Sequence, residues 1–381
     1  MRIRRRDVVF YSPWAGPLLT PDAQPSGGAE VQVLQLARGL AARGARVAVV
    51  TYAVDGLPAT FDGVEVIAQR RPRWRLGLAR RTMLLASTAR TLARLDAHVI
   101  VQRAAGGTTG LVALSARLSR SRFVYSSAST VDFTTARLGY GRLAVGLYGA
   151  GVRLAEQVVV QTDEQAELCA ARFGRRPVVI RSVAEPSSAP PVDRARSEGF
   201  LWIGRLARYK NPMAFLDLAA AVPEARFTMV CAPAEGDPPG AAGELRRRAA
   251  GLENLELLGP QSRGRMLERI ARSTAIVSTS DFEGMPNTLL EGWARGVPAL
   301  TLAHDPDGVI GREGLGRCAG GDPARLAADA REAWAARASD ASRGEACREY
   351  VRTHHDPAVV IERWAEVLGL GAAQPRPVST P

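Results

Sequence analysis

The sequence has very little lysine, since Lys210 is the only one among its 50 basic residues. Arginine supplies nearly all of the positive charge, and the formal net charge is +12 at pH 7. Because a coding bias toward arginine accounts for part of this excess, the net charge by itself says little about function. The single lysine therefore becomes a candidate for a specific role.

Cysteine and histidine are also scarce, with four residues of each type. The cysteines lie far apart, form no C-x-x-C motif and have no histidine at ligand spacing, so they indicate neither a disulfide framework nor a zinc site. We therefore predict no metal site. We expect the cysteines to be buried fillers and the histidines to be structural: Cys169, Cys231, Cys318, Cys347, His98, His304, His354 and His355.

Long apolar segments are missing as well. No run is long enough to span a bilayer, and "MRIRRRDVVFYSPW" passes from arginines into a short strand without the apolar core of a secretory signal. We therefore expect a cytoplasmic protein. The arginine clusters at residues 1–6 and 69–81 favour an anionic membrane surface about as much as an ordinary solvated face. Peripheral association with the inner face of the membrane is thus one hypothesis.

Short β-branched segments alternate with helical patterns along most of the 381 residues. This alternation is typical of β-α-β units in a parallel sheet that is covered on both faces. It stops at residues 184–199, which are rich in proline and lack hydrophobic periodicity, and then resumes. We therefore predict an α/β protein with two doubly wound domains. The predicted ranges are 1–184 for the first domain, 185–199 for a linker, 200–355 for the second domain, 356–370 for a C-terminal helix that packs back on the first domain, and 371–381 for a disordered tail.

The stretch "DFEGMPNTLLEGWARGVPAL" places Glu283 and Glu291 eight positions apart. A buried strand, "AIVSTS", precedes it, and Pro286 is a favourable first helical residue. Glu283 therefore lies at the carboxyl end of a strand, where ligands bind in open α/β sheets, and the following helix attracts phosphate. Because a carboxylate repels phosphate, we predict that Glu283 binds the neutral hydroxyls of a sugar. Glu291 would reach a different part of the ligand.

A second motif, "GFLWIGRLARYKNP", places Arg205 and Lys210 on the loop after a strand that ends at Gly204. Arginine offers a planar fork and lysine a mobile point charge, so the pair suits a diphosphate. Taken alone, both cations are typical surface charges, and both glutamates are typical turn or helix residues. Their placement after strand ends favours a binding site.

These two motifs resemble those of the retaining glycosyltransferases of family 4, of the bacterial polysaccharide and glycoconjugate type. That family has the GT-B fold, in which two Rossmann-like domains face each other across a cleft that contains the active site. The Glu-x7-Glu motif of the family matches Glu283 and Glu291, and its diphosphate ligands match Arg205 and Lys210. The resemblance covers most of the chain.

The segment "PSGGAEVQVLQLARGLAARGARVAVVT" is similar to the N-terminal glycine-rich loop of the same family, with Gly27 and Gly28 at the turn. Many members have glycine where this chain has Pro286, so the neighbouring amides would bind the donor. The donor-binding residues implied in this way are Gly204, Gly284, Met285, Asn287, Thr288 and Glu291. Many members also have a histidine in the first domain where this chain has Ser126, Ser127 and Ser129, and "RS" at Arg181 and Ser182 replaces a usual "NG". The acceptor side is therefore left open.

The resemblance implies a metal-independent hexosyltransferase that needs no cofactor beyond its nucleotide-sugar donor, a UDP-sugar or GDP-sugar. The acceptor would be a sugar or a lipid-linked molecule, in cell-surface polysaccharide or glycolipid synthesis. Arg205 and Lys210 would stabilise the departing diphosphate, Glu283 would hold the donor sugar, and Glu291 would hold the ribose. Two alternatives stay open: a GT-B sugar-nucleotide epimerase, and an arginine-rich nucleic-acid-binding protein. Because no nucleic-acid-binding motif is present, we expect no nucleic-acid partner.

Overall fold

A computed structural model shows that the chain forms two compact units, residues 1–183 with 357–381, and residues 184–356. Each unit is an α/β domain built on a mainly parallel sheet with helices on both faces, which confirms the predicted pair of Rossmann-like domains. The structure describes residues 5–20, 27–70, 86–92, 94–134, 141–187, 194–232, 240–338 and 341–371.

The sheet of the first unit has eight strands. They are β1 (Arg6–Tyr11), β2 (Val47–Tyr52), β3 (Thr60–Phe61), β4 (Val64–Gln69), β5 (Ala97–Arg103), β6 (Arg122–Ser126), β7 (Gln157–Val160) and β8 (Val178–Val179). Their order is β3-β4-β2-β1-β5-β6-β7-β8, and only the β3–β4 pair is antiparallel. Successive strands are added toward one edge of the sheet up to β4 and toward the opposite edge from β5 onward. The carboxyl ends of β1 and β5, where this order reverses, therefore form a topological switch point.

The described helices that precede Val183 are α1 (Gly28–Ala42), α2 (Thr109–Leu118), α3 (Arg142–Leu154) and α4 (Asp163–Phe173). Successive residues of β1 face opposite sides of the sheet. Val8 and Phe10 join a core with α1, whereas Val9 and Tyr11 join a core with α2 and α3. Residues 86–92, within the helix predicted near residues 76–95, are also helical, and residues 76–85 and 93 of that prediction lie outside the described residues.

The C-terminal helix (Pro357–Leu368) belongs to the first unit. A Cβ atom at Gly39 of α1 would lie 2.5 Å from Ile361 Cδ1, so glycine is what allows the two helices to approach this closely. Arg43 forms an ion pair with Glu362 beside this contact. Of the tail predicted at residues 371–381, only Gly371 is described.

The sheet of the second unit has six parallel strands in the order β11-β10-β9-β12-β13-β14. The strands are β9 (Phe200–Arg205), β10 (Phe227–Ala232), β11 (Leu255–Leu258), β12 (Ala275–Ser278), β13 (Ala299–Thr301) and β14 (Gly316–Cys318). The helices are α5 (Pro212–Ala221), α6 (Ala241–Ala250), α7 (Arg263–Arg272), α8 (Asn287–Trp293), α9 (Val309–Arg312), α10 (Pro323–Ala336) and α11 (Ala341–His354). The switch point of this sheet lies between β9 and β12.

Three sequence predictions need correction or restriction. Pro286 is not the first helical residue of α8: its backbone is extended and its carbonyl accepts bonds from Leu289 and Leu290, so it takes the N-cap position. Cys318 is not a buried filler, because the edge strand β14 leaves it partly exposed, whereas the other three cysteines are buried. Residues 188–193 of the predicted linker lie outside the described residues.

The basic clusters proposed for membrane contact are largely outside the described residues, since 1–4 and 71–85 are not described. Arg6, the last residue of the first cluster, forms two hydrogen bonds of 2.6 Å with the carboxylate of Glu65. Its charge is therefore neutralised within the fold. Among the described residues, no helix is both long and apolar enough to cross a bilayer.

Candidate active site

The two loops that follow β9 and β12 are fastened to each other by main-chain and side-chain hydrogen bonds. The Asp281 amide donates to the Tyr209 carbonyl at 2.8 Å, and Thr279 Oγ1 donates to the Lys210 carbonyl at 2.8 Å. Thr279 Oγ1 also accepts from Trp202 Nε1 at 2.9 Å, in the core below the loops. These bonds hold the two predicted motifs against each other at the switch point of the sheet.

Lys210 and Glu283 meet in a direct ion pair between Nζ and Oε1. The same Oε1 atom accepts a 2.9 Å hydrogen bond from Ser280 Oγ. The lysine side chain is 21% exposed and the glutamate side chain 14% exposed, so both charges are largely removed from water. The pair is partly desolvated but still accessible to a ligand. Charged groups in such a setting act more strongly on a bound substrate than the same groups in water.

Arg205 lies at the last position of β9 and is exposed. Its Nη2 atom donates to the Tyr209 hydroxyl at 3.2 Å, and the Tyr209 ring stacks on Phe282 with the ring centroids 5.1 Å apart. Lys210 Nζ lies 5.5 Å from the Tyr209 centroid. The tyrosine thus organises both cations, a role that the sequence interpretation did not assign to it.

The turn between Glu283 and α8 is mostly buried. His304 Nε2 is 3.0 Å from the Gly284 carbonyl, and the Met285 side chain packs in the core under α8. Asn287 and Thr288 open the first turn of the helix and are half-buried. His304, expected to be merely structural, therefore contacts a predicted donor-binding residue.

Glu291 lies one helical turn beyond Asn287, and its carboxylate accepts a 2.8 Å hydrogen bond from Arg263 of α7. The carbonyl of Glu291 accepts from Arg295 at 3.1 Å. Burial lowers the pKa of Arg295, and the charge of Glu291 partly counteracts that effect. Arg263 thus contacts the carboxylate of Glu291 and Arg295 contacts its main-chain carbonyl, and neither arginine was predicted as a site residue.

Three of the predicted glycines differ in their surroundings. A Cβ atom at Gly204 would lie 2.7 Å from the Trp202 ring, so a larger residue there would displace that ring. Gly27 caps α1 in an extended conformation that any residue adopts, and a Cβ there would meet only the flexible end of Glu30. Gly28 is the first residue of α1 and is exposed.

The three serines that replace the histidine expected from the family resemblance do not form one cluster. Ser126 accepts from Arg103, Ser127 is fully buried and donates to Gln165 at 2.7 Å, and Ser129 caps a short 3-10 helix. Only Ser126 therefore contributes to a charged site.

That charged site centres on Arg103 at the carboxyl end of β5, on the switch point of the first sheet. Arg103 lies 3.0 Å from Ser126 Oγ and 3.5 Å from Ser182 Oγ, and Ser182 donates to Gln161 at 2.7 Å. Arg103 forms no ion pair with a described residue, and its buried Nε has no hydrogen-bond partner. Burial lowers the pKa of Arg103 to about 10, and Asp132 offsets this only from a distance.

We expect Arg103→Met to leave the free energy of unfolding unchanged or to raise it. A base whose pKa falls on folding binds its proton less tightly in the folded state, so the charge of Arg103 opposes folding at neutral pH. Methionine keeps the length of the side chain without a charge that must be desolvated. Urea denaturation of the purified variant at neutral pH measures the change.

The matched control is Arg122→Met on the neighbouring strand β6. Arg122 pairs with Glu156 at 2.6 Å and donates to the Leu368 carbonyl at 2.9 Å, where it caps the C-terminal helix. We expect this variant to lose about 1 kcal/mol. If Arg103→Met loses as much as Arg122→Met, Arg103 is a structural arginine and not a binding residue.

Comparison with protein families identifies both parts of the chain. Residues 27–184 match the family described as "Glycosyl transferase 4-like domain", and residues 197–335 match the family described as "Glycosyl transferases group 1". No curated protein sequence matches the chain significantly.

Solved structures share the whole fold at low sequence identity. Sucrose-phosphate synthase from Thermosynechococcus elongatus matches with a TM-score of 0.77 and 16% identity over 95% of this chain and 98% of that one. The Anabaena protein Alr3699/HepE, solved with UDP and glucose, matches with a TM-score of 0.75 and 16% identity over 96% and 100%. The lipopolysaccharide outer core galactosyltransferase WaaB matches with a TM-score of 0.65 and 14% identity over 95% and 99%.

Proposed function

The chain is a glycosyltransferase by the family matches of both its domains, and on this premise we propose that it is a retaining hexosyltransferase. It moves a sugar from a UDP-sugar or GDP-sugar to a hydroxyl of a sugar or lipid-linked acceptor. The observation that carries the proposal is the Lys210–Glu283 ion pair at the switch point of the second sheet. The complex of Alr3699/HepE with UDP and glucose supports a nucleotide-sugar donor.

In the free protein, Lys210 and Glu283 neutralise each other's charge, a role that the donor takes over when it is bound. In the proposed donor complex, Glu283 exchanges Lys210 for sugar hydroxyls, and Lys210 turns to the diphosphate. Arg205, steadied by Tyr209, adds a second cation at the same end of β9. These groups act on the charge that grows on the leaving diphosphate, so they stabilise the transition state more than the ground state.

In the proposed reaction, the bond between the anomeric carbon and the diphosphate oxygen breaks. The acceptor oxygen then forms its bond to that carbon on the same face, and the acceptor proton passes to the departing diphosphate. Glu283 holds the sugar during this exchange through hydroxyls, whose hydrogen bonds to a carboxylate are stronger than those to a neutral group. We assign the ribose of the nucleotide to Glu291, and the main-chain amides near Asn287 and Thr288 to the diphosphate.

The Arg103 site in the first unit is our candidate for the acceptor side. It places a cation, two serine hydroxyls and a glutamine at strand ends, a set of groups that suits a polar acceptor. In open α/β sheets, ligands bind at this carboxyl edge.

Thermal unfolding with UDP, GDP, ADP and their sugar conjugates tests the donor assignment. A ligand that binds only the folded state raises the unfolding temperature by mass action. We expect stabilisation by a uridine or guanosine diphosphate, and release of the nucleoside diphosphate from its sugar conjugate when an acceptor is supplied. Stabilisation by none of these compounds would contradict the proposed function.

We expect activity to survive treatment with EDTA. In the proposed mechanism, Lys210 and Arg205 supply the positive charge that a divalent cation supplies in other enzymes that act on diphosphates. Initial rates measured before and after EDTA, and after addition of excess magnesium or manganese, provide the check. Loss of activity in EDTA that either metal restores would count against this mechanism.

We also propose a cytoplasmic protein that contacts the inner face of the membrane and acts in polysaccharide or glycolipid synthesis. Membrane contact requires a surface, among the described residues, that suits a membrane.

A further inference from the structure

Helices α2 and α3 of the first unit expose an unusual number of leucines. Those of α2 are Leu114 and Leu118, and those of α3 are Leu143, Leu147 and Leu154. Leu118 is 77% exposed and Leu143 is 76% exposed. Within each helix the exposed leucines are four or seven positions apart, so they lie on one face. We call these five residues the leucine face.

The two helices are held side by side by contacts between small residues. A Cβ atom at Gly110 of α2 would lie 2.5 Å from the Leu147 carbonyl, and one at Gly151 of α3 would lie 2.7 Å from the Gly110 amide. A Cβ at Gly107, just before α2, would meet Ala144 at 3.4 Å. Because residue numbers rise together along both helices in these contacts, the helices run in the same direction. Leu147 itself lies at this contact, so the exposed leucines of the two helices lie on adjoining surfaces.

The charged residues of α2 and α3 are all basic. Arg142 of α3 is exposed, as are Arg117 of α2 and Arg120 just after it. Arg153 of α3 is also exposed, but its guanidinium lies over the Phe173 ring, 5.3 Å from the centroid, and Glu156 just beyond α3 pairs with Arg122. Within these two fully described helices there is no Asp or Glu. The two helices offer no carboxylate that could pair with the cations of a partner protein. A surface of anionic headgroups over acyl chains, in contrast, suits both the arginines and the leucines.

We propose that the leucine face and its arginines are the site at which this protein docks on an anionic lipid membrane. The leucines enter the boundary between headgroups and acyl chains, while the arginines remain at the level of the phosphates. This surface supplies the membrane contact of the proposed function. Its test measures binding to lipid and not sugar transfer, so either proposal can fail without the other.

Flotation of the purified 381-residue chain with lipid vesicles tests the inference. We expect it to float with vesicles of phosphatidylcholine and phosphatidylglycerol in equal parts and to remain at the bottom with phosphatidylcholine alone. High salt should weaken flotation, because it screens the arginines. Leu118→Glu combined with Leu143→Glu should lower the bound fraction at least about tenfold, since charged side chains are costly in the acyl region.

The matched control is Val359→Glu on the C-terminal helix. Val359 is 46% exposed on a different helix of the same unit, so the change adds the same charge away from the leucine face. It should float like the parent chain, and all variants should unfold at similar temperatures. Equal flotation of the parent and the double variant, or no flotation of the parent with anionic vesicles, overturns the inference. The inference is also overturned if analytical ultracentrifugation shows a concentration-dependent dimer that is lost only in the double variant. A second copy of the chain would then occupy the leucine face.

Discussion

Lys210→Ala is expected to lower turnover by about two orders of magnitude or more, the scale on which loss of one preorganised charge donor acts. Lys210 is the only lysine of the chain, and its ammonium lies on Glu283 at the switch point of the second sheet. Removing it takes away a cation for the departing diphosphate and leaves the Glu283 carboxylate without its counter-ion. Steady-state kinetics with saturating donor measures the loss.

Arg208→Ala is the matched control for this experiment. Arg208 begins the same short 3-10 helix that ends at Lys210, and its side chain is exposed. The control removes one positive charge from the same loop without touching the ion pair, so we expect turnover near that of the parent. Thermal unfolding of both variants shows whether the loop remains folded. Normal turnover of a folded Lys210→Ala variant would remove Lys210 from the mechanism.

Glu283→Gln and Glu291→Gln are expected to produce different losses. Glutamine preserves the shape of either side chain but weakens charge-assisted hydrogen bonds to hydroxyls, each worth about 1.5 to 3 kcal/mol. Glu283→Gln should reduce turnover by about tenfold to a hundredfold, while affinity for the bare nucleoside diphosphate hardly changes. Glu291→Gln should weaken binding of the nucleoside diphosphate and of the intact donor by a similar factor, because both contain the ribose.

Calorimetric titration of each variant with both ligands separates these cases, and Arg263→Gln adds a necessary comparison. Arg263 donates to the Glu291 carboxylate at 2.8 Å, so Glu291→Gln also frees an arginine. If Arg263→Gln weakens nucleotide binding as much as Glu291→Gln does, the carboxylate acts by holding Arg263 and not by binding ribose. If both glutamate variants bind the bare nucleotide as tightly as the parent does, Glu291 is not a ribose ligand.

The sequence predicted most strands and helices because the residue patterns that indicate them extend over only a few neighbouring positions. Parallel strands that are buried on both faces read as short apolar runs, and six-residue runs such as β2, buried throughout, are easily recognised. The two-residue β3 and the three-residue β14 carry no such run, and they form only because a neighbouring strand offers its edge. The start of α8 was misplaced by one residue, since a proline suits either the N-cap or the first helical position.

Residue types and their placement at strand ends were also enough to single out Lys210, Arg205, Glu283 and Glu291. The sequence did not single out His304, Tyr209, Arg263 or Arg103. Each of these acts through a partner from another element, such as the Gly284 carbonyl for His304 or Ser126 and Ser182 for Arg103. A lone histidine or arginine in the sequence carries no sign of such a partner.

By itself, the sequence determined the alternation of strands and helices, the glycine and proline positions that end them, and the chemical types available at each strand end. These depend on neighbours a few residues apart, and periodicity reports them directly. Only the tertiary structure decided that Lys210 meets Glu283, 73 positions away, because β9 and β12 are adjacent in the sheet although β10 and β11 lie between them in the chain. The leucine face arises in the same way: each helix alone shows two or three exposed leucines, and the glycine contacts between α2 and α3 bring them onto adjoining surfaces.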